Sequence, residues 1–208
     1  MYLPEPTGND FELPPQGTFA AVCYRVIDLG TQESSFNGET SLKHKIMVSW
    51  ELPDERMEDN RPFTIHQSYT WSMHEKATLR KHLEAWRGRK FQDGDFGPDG
   101  FNIKKLLGVG CLLTITHTEK DRSTYANLTS IAKLMKGQET PQPENEIIYF
   151  SMESQAAYDE TAVCFEHLSD RLIERIKKSP EHQKWSLREP EVDPVETRSY
   201  ELDDDIPF

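Results

Sequence analysis

The sequence has no long hydrophobic run, no leader-like N-terminus and few cysteines. No stretch approaches the roughly 18 apolar residues of a membrane-spanning helix. The first 15 residues contain neither a basic region nor an apolar core, so they do not resemble a signal peptide. The three cysteines, Cys23, Cys111 and Cys164, lack the clustered or regular spacing of a disulfide framework or a zinc site. We therefore expect a cytoplasmic protein whose cysteines are small buried apolar residues.

Catalytic motifs are missing as well. His74 and Glu75 begin a zincin-like motif, but Thr78 stands where the second histidine would be needed. Asp93 and Asp95 lie in a glycine-rich loop, yet no glutamate closes a twelve-residue calcium-binding frame around them, which favours a solvated loop. There is also no Walker loop, nucleophile elbow or dinucleotide fingerprint. We expect no enzyme, no catalytic residues, no metal and no cofactor.

The charge of the 208-residue chain is unevenly distributed. Its 36 acidic and 24 basic residues give a formal net charge of −12. Residues 1–15 hold three acidic and no basic residues, and residues 184–208 hold eight acidic against three basic, whereas residues 16–138 are slightly basic. Within that central part, residues 76–90 contain six basic residues and one acidic residue. Because acid and base are segregated, an acidic total is compatible with a nucleic-acid partner.

The hydrophobic pattern of the central part changes between a period of two and a helical period. Ser72 is the predicted N-cap of the helix, because Glu75 follows it at the capping-box spacing. The predicted elements, in chain order, are strands at 18–29, 42–52 and 63–71, a helix that ends at Gly88, a short helical segment at 102–107, and strands at 111–117 and 125–132. Three strands, a helix and two strands is the element order of the OB-fold, a five-stranded Greek-key barrel.

We therefore expect a mainly β protein with an OB-like barrel over residues 16–138 and its helix between strands 3 and 4. Residues 1–15 contain four prolines and predict an extended arm. Residues 139–180 predict a C-terminal extension with one strand and one helix. Residues 181–208 are acidic and broken by prolines, which is typical of a disordered tail.

The chain ends in a six-residue segment with the properties of a peptide ligand, Asp203-Asp204-Asp205-Ile206-Pro207-Phe208. The Phe208 ring can fill an apolar pocket while its carboxylate meets an arginine or lysine, and the aspartates suit a basic rim. The proline limits the conformational freedom that is lost on binding. We call residues 203–208 the tip.

The tip resembles the C-terminus of bacterial single-stranded DNA-binding proteins, which end in the same six residues. Residues 101–137, followed by residues 141–152, resemble phage-encoded proteins of the replication and recombination region. The resemblance implies a phage single-stranded DNA-binding protein with an OB-fold and no membrane association, acting in the infected bacterial cell. It also implies that the tip recruits host or phage replication, recombination or repair enzymes. An alternative is an adaptor or decoy that occupies the host proteins recognising such a tip and does not bind DNA.

Aromatic and basic residues on the predicted strands are the candidates for DNA contact. Stacking on bases is predicted for Trp50, Tyr69, Trp71 and Tyr125. Phosphate contact is predicted for Lys43, Lys45, Arg87, Arg89, Lys90, Lys104 and Lys105. The aromatic assignment has an open alternative, because Trp50 shares a strand face with apolar residues, as do Tyr69 and Trp71, and all three could belong to the core.

Overall fold

The computed structural model shows a mainly β protein, as the sequence predicts. It describes residues 12–36, 38–96, 100–120, 123–152, 165 and 168–186. The strands are β1 (Gly17–Phe36), β2 (Glu39–Arg56), β3 (Pro62–Thr70), β4 (Gly110–Lys120), β5 (Ser123–Ala132) and β6 (Ile148–Phe150). The helices are α1 (Thr78–Arg87), α2 (Asp170–Lys177) and α3 (Pro180–Ser186), with 3₁₀ turns at Asp93–Asp95 and Ile103–Leu106.

Five antiparallel strands form one sheet in the order β3-β2-β1-β4-β5, and α1 comes between β3 and β4 in the chain. This is the predicted OB-like order. Antiparallel hairpins are formed by β1 with β2, by β2 with β3 and by β4 with β5. No ladder joins β3 to β5 in the part of the chain that the structure describes, so the sheet is not closed into the barrel we predicted. Instead, α1 lies against both β3 and β5. Its buried residues Leu79, Leu83 and Trp86 pack where direct strand pairing would otherwise close the sheet.

The first hairpin is longer than predicted. Residues 31–36 and 39–41, which lie between the first two predicted strands, continue β1 and β2 as a two-stranded ribbon in which Glu33 pairs with Leu42. Gly38, with φ 83°, lies in its turn. Ladder hydrogen bonds between two strands need no apolar face, so a polar ribbon leaves no hydrophobic pattern in the sequence.

Helix α1 begins later than predicted. Ala77 occupies the N-cap position, and the Ser72 hydroxyl instead accepts a hydrogen bond from the His74 amide at 3.2 Å. The predicted capping box is therefore wrong, because Ser72 stabilises a local turn before the helix. The C-terminus is as predicted: Gly88 ends the helix in the left-handed conformation, with φ 74°.

The C-terminal extension covers the outer face of β1 and β2. The main core lies on the inner face of the sheet. A second apolar cluster joins Ile27 and Met47 of the sheet to Phe150 of β6 and Ile176 of α2. Strand β6 adds to β1 in parallel, with Val26 opposite Tyr149. The extension is therefore an integral part of the fold.

The sequence places the start of a disordered tail at Glu181, but Glu181–Ser186 belongs to α3. The Glu181 carboxylate accepts hydrogen bonds from the Thr31 amide, at 2.7 Å, and from the Thr31 hydroxyl. This contact joins α3 to β1, so the boundary predicted at residue 181 is wrong. The tip lies outside the described residues.

The described cysteines follow the expectation of burial. Cys23 and Cys111 are both buried, and burial raises the pKa of the Cys23 thiol to about 12. Cys164 lies outside the described residues. Within the described ranges, none of the helices has the length and apolar character needed to cross a bilayer.

Candidate nucleic-acid interface

A groove runs between the outer face of β3 and helix α2, with a volume of about 530 Å³. That volume is within the range of about 300–1,000 Å³ typical of ligand pockets. We call it the β3–α2 groove; its lining residues are Arg25, Met47, His66, Gln67, Ser68, Ser169, Arg171, Leu172 and Arg175. It exists because side chains alternate along β3: Ile65 and Tyr69 point into the main core, while His66 and Ser68 point outward.

Positively charged side chains from two elements converge on this groove. Arg25 comes from β1, and Arg171 and Arg175 come from α2, where their four-residue spacing places them on one face. Burial, and then the charge of Arg171, lower the pKa of Arg175. Burial first, then Lys43 and Arg175, lower the pKa of Lys45. The β2 lysines and the α2 arginines therefore form one crowded cationic surface.

Hydroxyl groups contact two of these cations. The Lys45 ammonium donates a hydrogen bond to the Thr70 hydroxyl at 3.1 Å, and Arg25 Nε donates to the Ser49 hydroxyl at 3.4 Å. In the described parts of the chain, no ion pair involves Lys43, Lys45, Arg171 or Arg175. Their positive charge is therefore not compensated locally, which favours the binding of phosphate oxygens.

His66 lies on the outward face of β3 and lines the groove together with Arg25. Burial first, and then the charge of Arg25, lower its pKa below the ordinary 6.5. Near neutral pH the imidazole is therefore uncharged, so it can stack on a base or share one hydrogen bond without adding charge. Among the described residues that line the groove, none is a tryptophan, tyrosine or phenylalanine.

Two of the predicted stacking residues belong to the core. Trp50 is 1% exposed and packs against Trp86, with ring centroids 5.8 Å apart. Tyr69 is 3% exposed, and its hydroxyl lies 2.9 Å from His82 Nδ1. A base cannot reach either ring, so the stacking predictions for Trp50 and Tyr69 are wrong. Both residues occupy inward positions of their strands, the alternative that the sequence left open.

The other two aromatic candidates are exposed. Trp71 is 37% exposed and directly follows β3, one residue beyond the Thr70 hydroxyl that binds Lys45. Its ring contacts that of His44, with centroids 5.3 Å apart. Trp71 thus follows the Thr70 contact of Lys45 and does not itself line the groove. Tyr125 is 52% exposed on β5, a strand that contributes no residue to the groove.

The predicted basic cluster after α1 is partly neutralised. Arg87 and Arg89 both donate to the Asp95 carboxylate, at 2.8 and 2.7 Å. Hydrogen bonds from Arg87, the Gln92 amide and Arg89 hold the pKa of Asp95 well below its usual range. The two arginines therefore already have an anionic partner, which weakens the prediction that they bind phosphates. Lys90, Lys104 and Lys105 are exposed, but they are not part of the groove.

Sequence reasoning missed Arg25, His66, Arg171 and Arg175. The spacing of Arg171 and Arg175 on a predicted helix was a visible signal, but nothing local indicates that this helix packs against β1 and β2. A register irregularity between Cys23 and Arg25 changes which residues of β1 face outward, and strict alternation cannot predict it.

No protein-family model matches the chain, and a search of curated proteins finds no significant match. The functional argument for this surface therefore depends on its own geometry and charge.

Proposed function

We propose that the protein binds single-stranded DNA without sequence preference, and that the phosphates lie along the β3–α2 groove against Arg25, Lys45, Arg171 and Arg175. The observation that carries this proposal is the convergence of these cations from β1, β2 and α2 on the outer face of β2 and β3. In OB-like sheets that face is the usual position for an oligonucleotide. Lys43 extends the cationic path beyond Lys45, and Trp71 offers an exposed ring beside it.

The structure of α2 favours single strands over duplex. A helix that reads duplex DNA needs a free face to enter the major groove. One side of α2 is committed to the protein, because Leu172 and Ile176 pack on the second apolar cluster, while Arg171 and Arg175 line the groove. A flexible strand can follow such a groove, with bases lying on His66, on the arginine planes or on Trp71.

The resemblance of the tip supports a second part of the proposal. The protein acts in phage DNA replication or recombination, and the tip recruits a host or phage enzyme to the DNA that the groove holds. If the protein does not bind single-stranded DNA, the adaptor or decoy function is the better explanation of the tip.

The test is a fluorescence-anisotropy titration of labelled oligo(dT) with the full chain and two double variants. Arg171→Ala with Arg175→Ala removes two charges from the groove. Lys177→Ala with Lys178→Ala is the matched control, since it removes two exposed charges at the end of the same helix that do not line the groove.

We expect the groove variant to lose at least tenfold in affinity, corresponding to about 1.4 kcal/mol, and the control to lose much less. Equal losses in the two variants would show that only the overall charge matters. Equal affinity of the unsubstituted chain for duplex and for oligo(dT) would contradict single-strand binding.

A further inference from the structure

A second cavity lies on a different part of the molecule. It is bounded by α1, the 3₁₀ turn at Ile103–Leu106 and residues 133–140, and its volume is about 790 Å³. We call it the α1 pocket. That volume is within the range of about 300–1,000 Å³ typical of ligand pockets. The α1 pocket shares no lining residue with the β3–α2 groove, so a ligand in one leaves the other open.

Much of the lining of the α1 pocket is apolar and aromatic. The lining includes Leu83, Trp86, Phe91, Phe101 and Leu106. The Trp86 indole N–H donates to the Gly110 carbonyl at 2.9 Å, so the polar atom of this ring is already satisfied. Met135, which also lines the pocket, is 67% exposed and adds apolar surface that the protein leaves uncovered. The apolar part of a ligand can therefore be buried here.

Cations from three parts of the chain line the same pocket. Arg87 comes from α1, Lys105 from the 3₁₀ turn, and Lys133 and Lys136 from the segment after β5. Among the described residues that line the pocket, none carries a carboxylate. Within the same described set, only Arg87 of these four cations forms an ion pair, with Asp95. This excess of positive charge favours an anionic ligand.

Arg87 can contact such an anion directly. Its Nη2 donates to the Asp95 carboxylate at 2.8 Å. Its Nη1 is buried and has no hydrogen-bond partner in the part of the chain that the structure describes. A buried guanidinium N–H without an acceptor is unfavourable, so an oxygen atom of a ligand would be stabilised there. The guanidinium carbon also lies 4.4 Å from the centroid of the Phe91 ring, which brings the charge against the apolar lining.

A phosphate monoester matches these cations better than a carboxylate does. It carries a charge of about −1.5 to −2 at pH 7 and three acceptor oxygens, so several cations can contact it at once. We propose that the α1 pocket binds a nucleoside monophosphate, with its base on the apolar lining and its phosphate among Arg87 and the three lysines. The polar edge of the base can meet Gln138 and Thr140, the uncharged polar side chains of the lining.

This ligand chemistry has two sources. One is a free nucleotide, and the other is the phosphorylated end of a single strand. An internal phosphate of DNA is a diester with a single charge, so it matches the four cations less well. The inference does not rest on the proposed function, because the groove contributes no residue to the α1 pocket.

The first test is a calorimetric titration of the full chain with thymidine 5′-monophosphate (dTMP), with thymidine and with inorganic phosphate. We expect saturable one-to-one binding of dTMP. Thymidine and phosphate should each bind at least tenfold more weakly, because each has only one half of the recognised chemistry. Equal affinity for dTMP and for phosphate would overturn the proposal, and so would the absence of saturable dTMP binding.

Exposed lysines of the lining give a variant that does not disturb the core. Lys133→Ala with Lys136→Ala should weaken dTMP binding at least tenfold, while circular dichroism shows that the fold is retained. Lys76→Ala with Lys81→Ala is the matched control, because it removes two exposed charges near the start of α1 that do not line the pocket. Equal losses in the two variants would mean that only the overall charge matters and would overturn the proposal.

The groove variant, Arg171→Ala with Arg175→Ala, distinguishes this proposal from single-strand binding in the groove. It should bind dTMP as the unsubstituted chain does, and a loss of dTMP affinity in this variant alone would place the nucleotide in the groove and overturn the proposal. In the same variant, oligo(dT) with a 5′-phosphate is compared with oligo(dT) that has a 5′-hydroxyl. Several-fold tighter binding of the phosphorylated strand would assign the α1 pocket to strand ends, and equal binding would assign it to free nucleotides.

Discussion

His44 Nε2 lies 2.6 Å from Oδ1 of Asp28, a carboxylate that is only 2% exposed. The same carboxylate accepts hydrogen bonds from the Gly30 amide at 2.8 Å and from the Met152 amide at 3.3 Å. Asp28 thus joins β1, β2 and the segment after β6 at one buried point. His44 also contacts the ring of Trp71, so the position of this exposed ring is linked to the buried Asp28 carboxylate.

Asp28→Ala should destabilise the fold strongly. The substitution leaves the two amides and the His44 ring without their acceptor, and each buried polar group left unsatisfied costs about 1–3 kcal/mol. Urea unfolding followed by circular dichroism measures the change. Asp54→Ala on the exposed part of β2 is the control and should stay within about 0.5 kcal/mol. A similar, small effect of both substitutions would contradict the central role of Asp28.

The groove should contribute a defined part of the salt dependence of DNA binding. For single strands, log K falls against log[salt] with a slope of about −0.7 per phosphate neutralised. Arg171→Ala and Arg175→Ala should therefore each reduce the magnitude of the slope by about 0.7, as measured with oligo(dT) over a salt series. A slope that is unchanged in both variants would mean that neither arginine binds a phosphate.

Tryptophan fluorescence should show that bound DNA contacts Trp71 and does not contact Trp50. We expect oligo(dT) to quench the fluorescence of the full chain, and Trp71→Phe to remove most of that quenching while the fold is retained. Trp50→Phe should leave the quenching by oligo(dT) unchanged, because the Trp50 ring is buried against Trp86. Trp50→Ala should cost about 3–5 kcal/mol in stability, as expected for truncation of a core aromatic. Quenching that persists in Trp71→Phe would exclude Trp71 as a stacking residue.

DNA affinity should rise as the pH falls towards 6, and His66 should be responsible. In the free protein, burial and Arg25 lower the pKa of His66, so the ring is neutral at pH 7. A phosphate beside Arg25 offsets that repulsion and favours the protonated ring, which means that binding takes up a proton. His66→Gln should flatten the rise in affinity that the unsubstituted chain shows as the pH falls below about 6.5. An equal rise in affinity for His66→Gln would assign the effect to another group.

The tip should be needed for partner recruitment and dispensable for DNA binding. Phe208→Ala removes the aromatic anchor, and deletion of residues 203–208 removes the anchor together with the negative charges. Both changes should abolish the capture of a host replication or repair enzyme by the purified full-length protein. The oligo(dT) affinity of the Phe208→Ala chain should stay level. That of the chain without residues 203–208 should stay level or rise slightly, because the acidic residues no longer compete for the cationic surface. Loss of DNA binding would show that the tip belongs to the groove.

Local patterns predicted the order of the elements, because apolar and polar residues alternate along β2 and β3 and the apolar residues of α1 have helical spacing. They also placed Lys43 and Lys45 on the polar face of β2; Lys45 contacts Thr70 there, although neither lysine lines the groove. Alternation shows which residues share a face, but it cannot show which face becomes the core. For that reason Trp50 and Tyr69 were equally compatible with stacking and with burial.

The remaining differences arise from contacts between distant segments. The ion pairs of Arg87 and Arg89 with Asp95 depend on how a glycine-rich loop folds back on the end of α1, and no periodic pattern encodes that. Arg171 and Arg175 become groove residues only because α2 packs on β1 and β2. The sheet stays open because α1 lies against both β3 and β5, and the element order does not determine that position of α1.

The parallel pairing of β1 with β6 has a consequence for synthesis of the protein. Arg25 and Ile148 are register partners, although the ribosome adds the second of them more than a hundred residues after the first. A nascent chain that has emerged as far as β5 contains the five antiparallel strands, but the outer face of β1 and β2 is still uncovered and the α2 wall of the groove does not yet exist. Such a chain exposes apolar surface around Ile27 and Met47 and is open to mispairing at β1. Competence for the proposed DNA binding therefore arises late, only once α2 has left the ribosome and packed against the sheet.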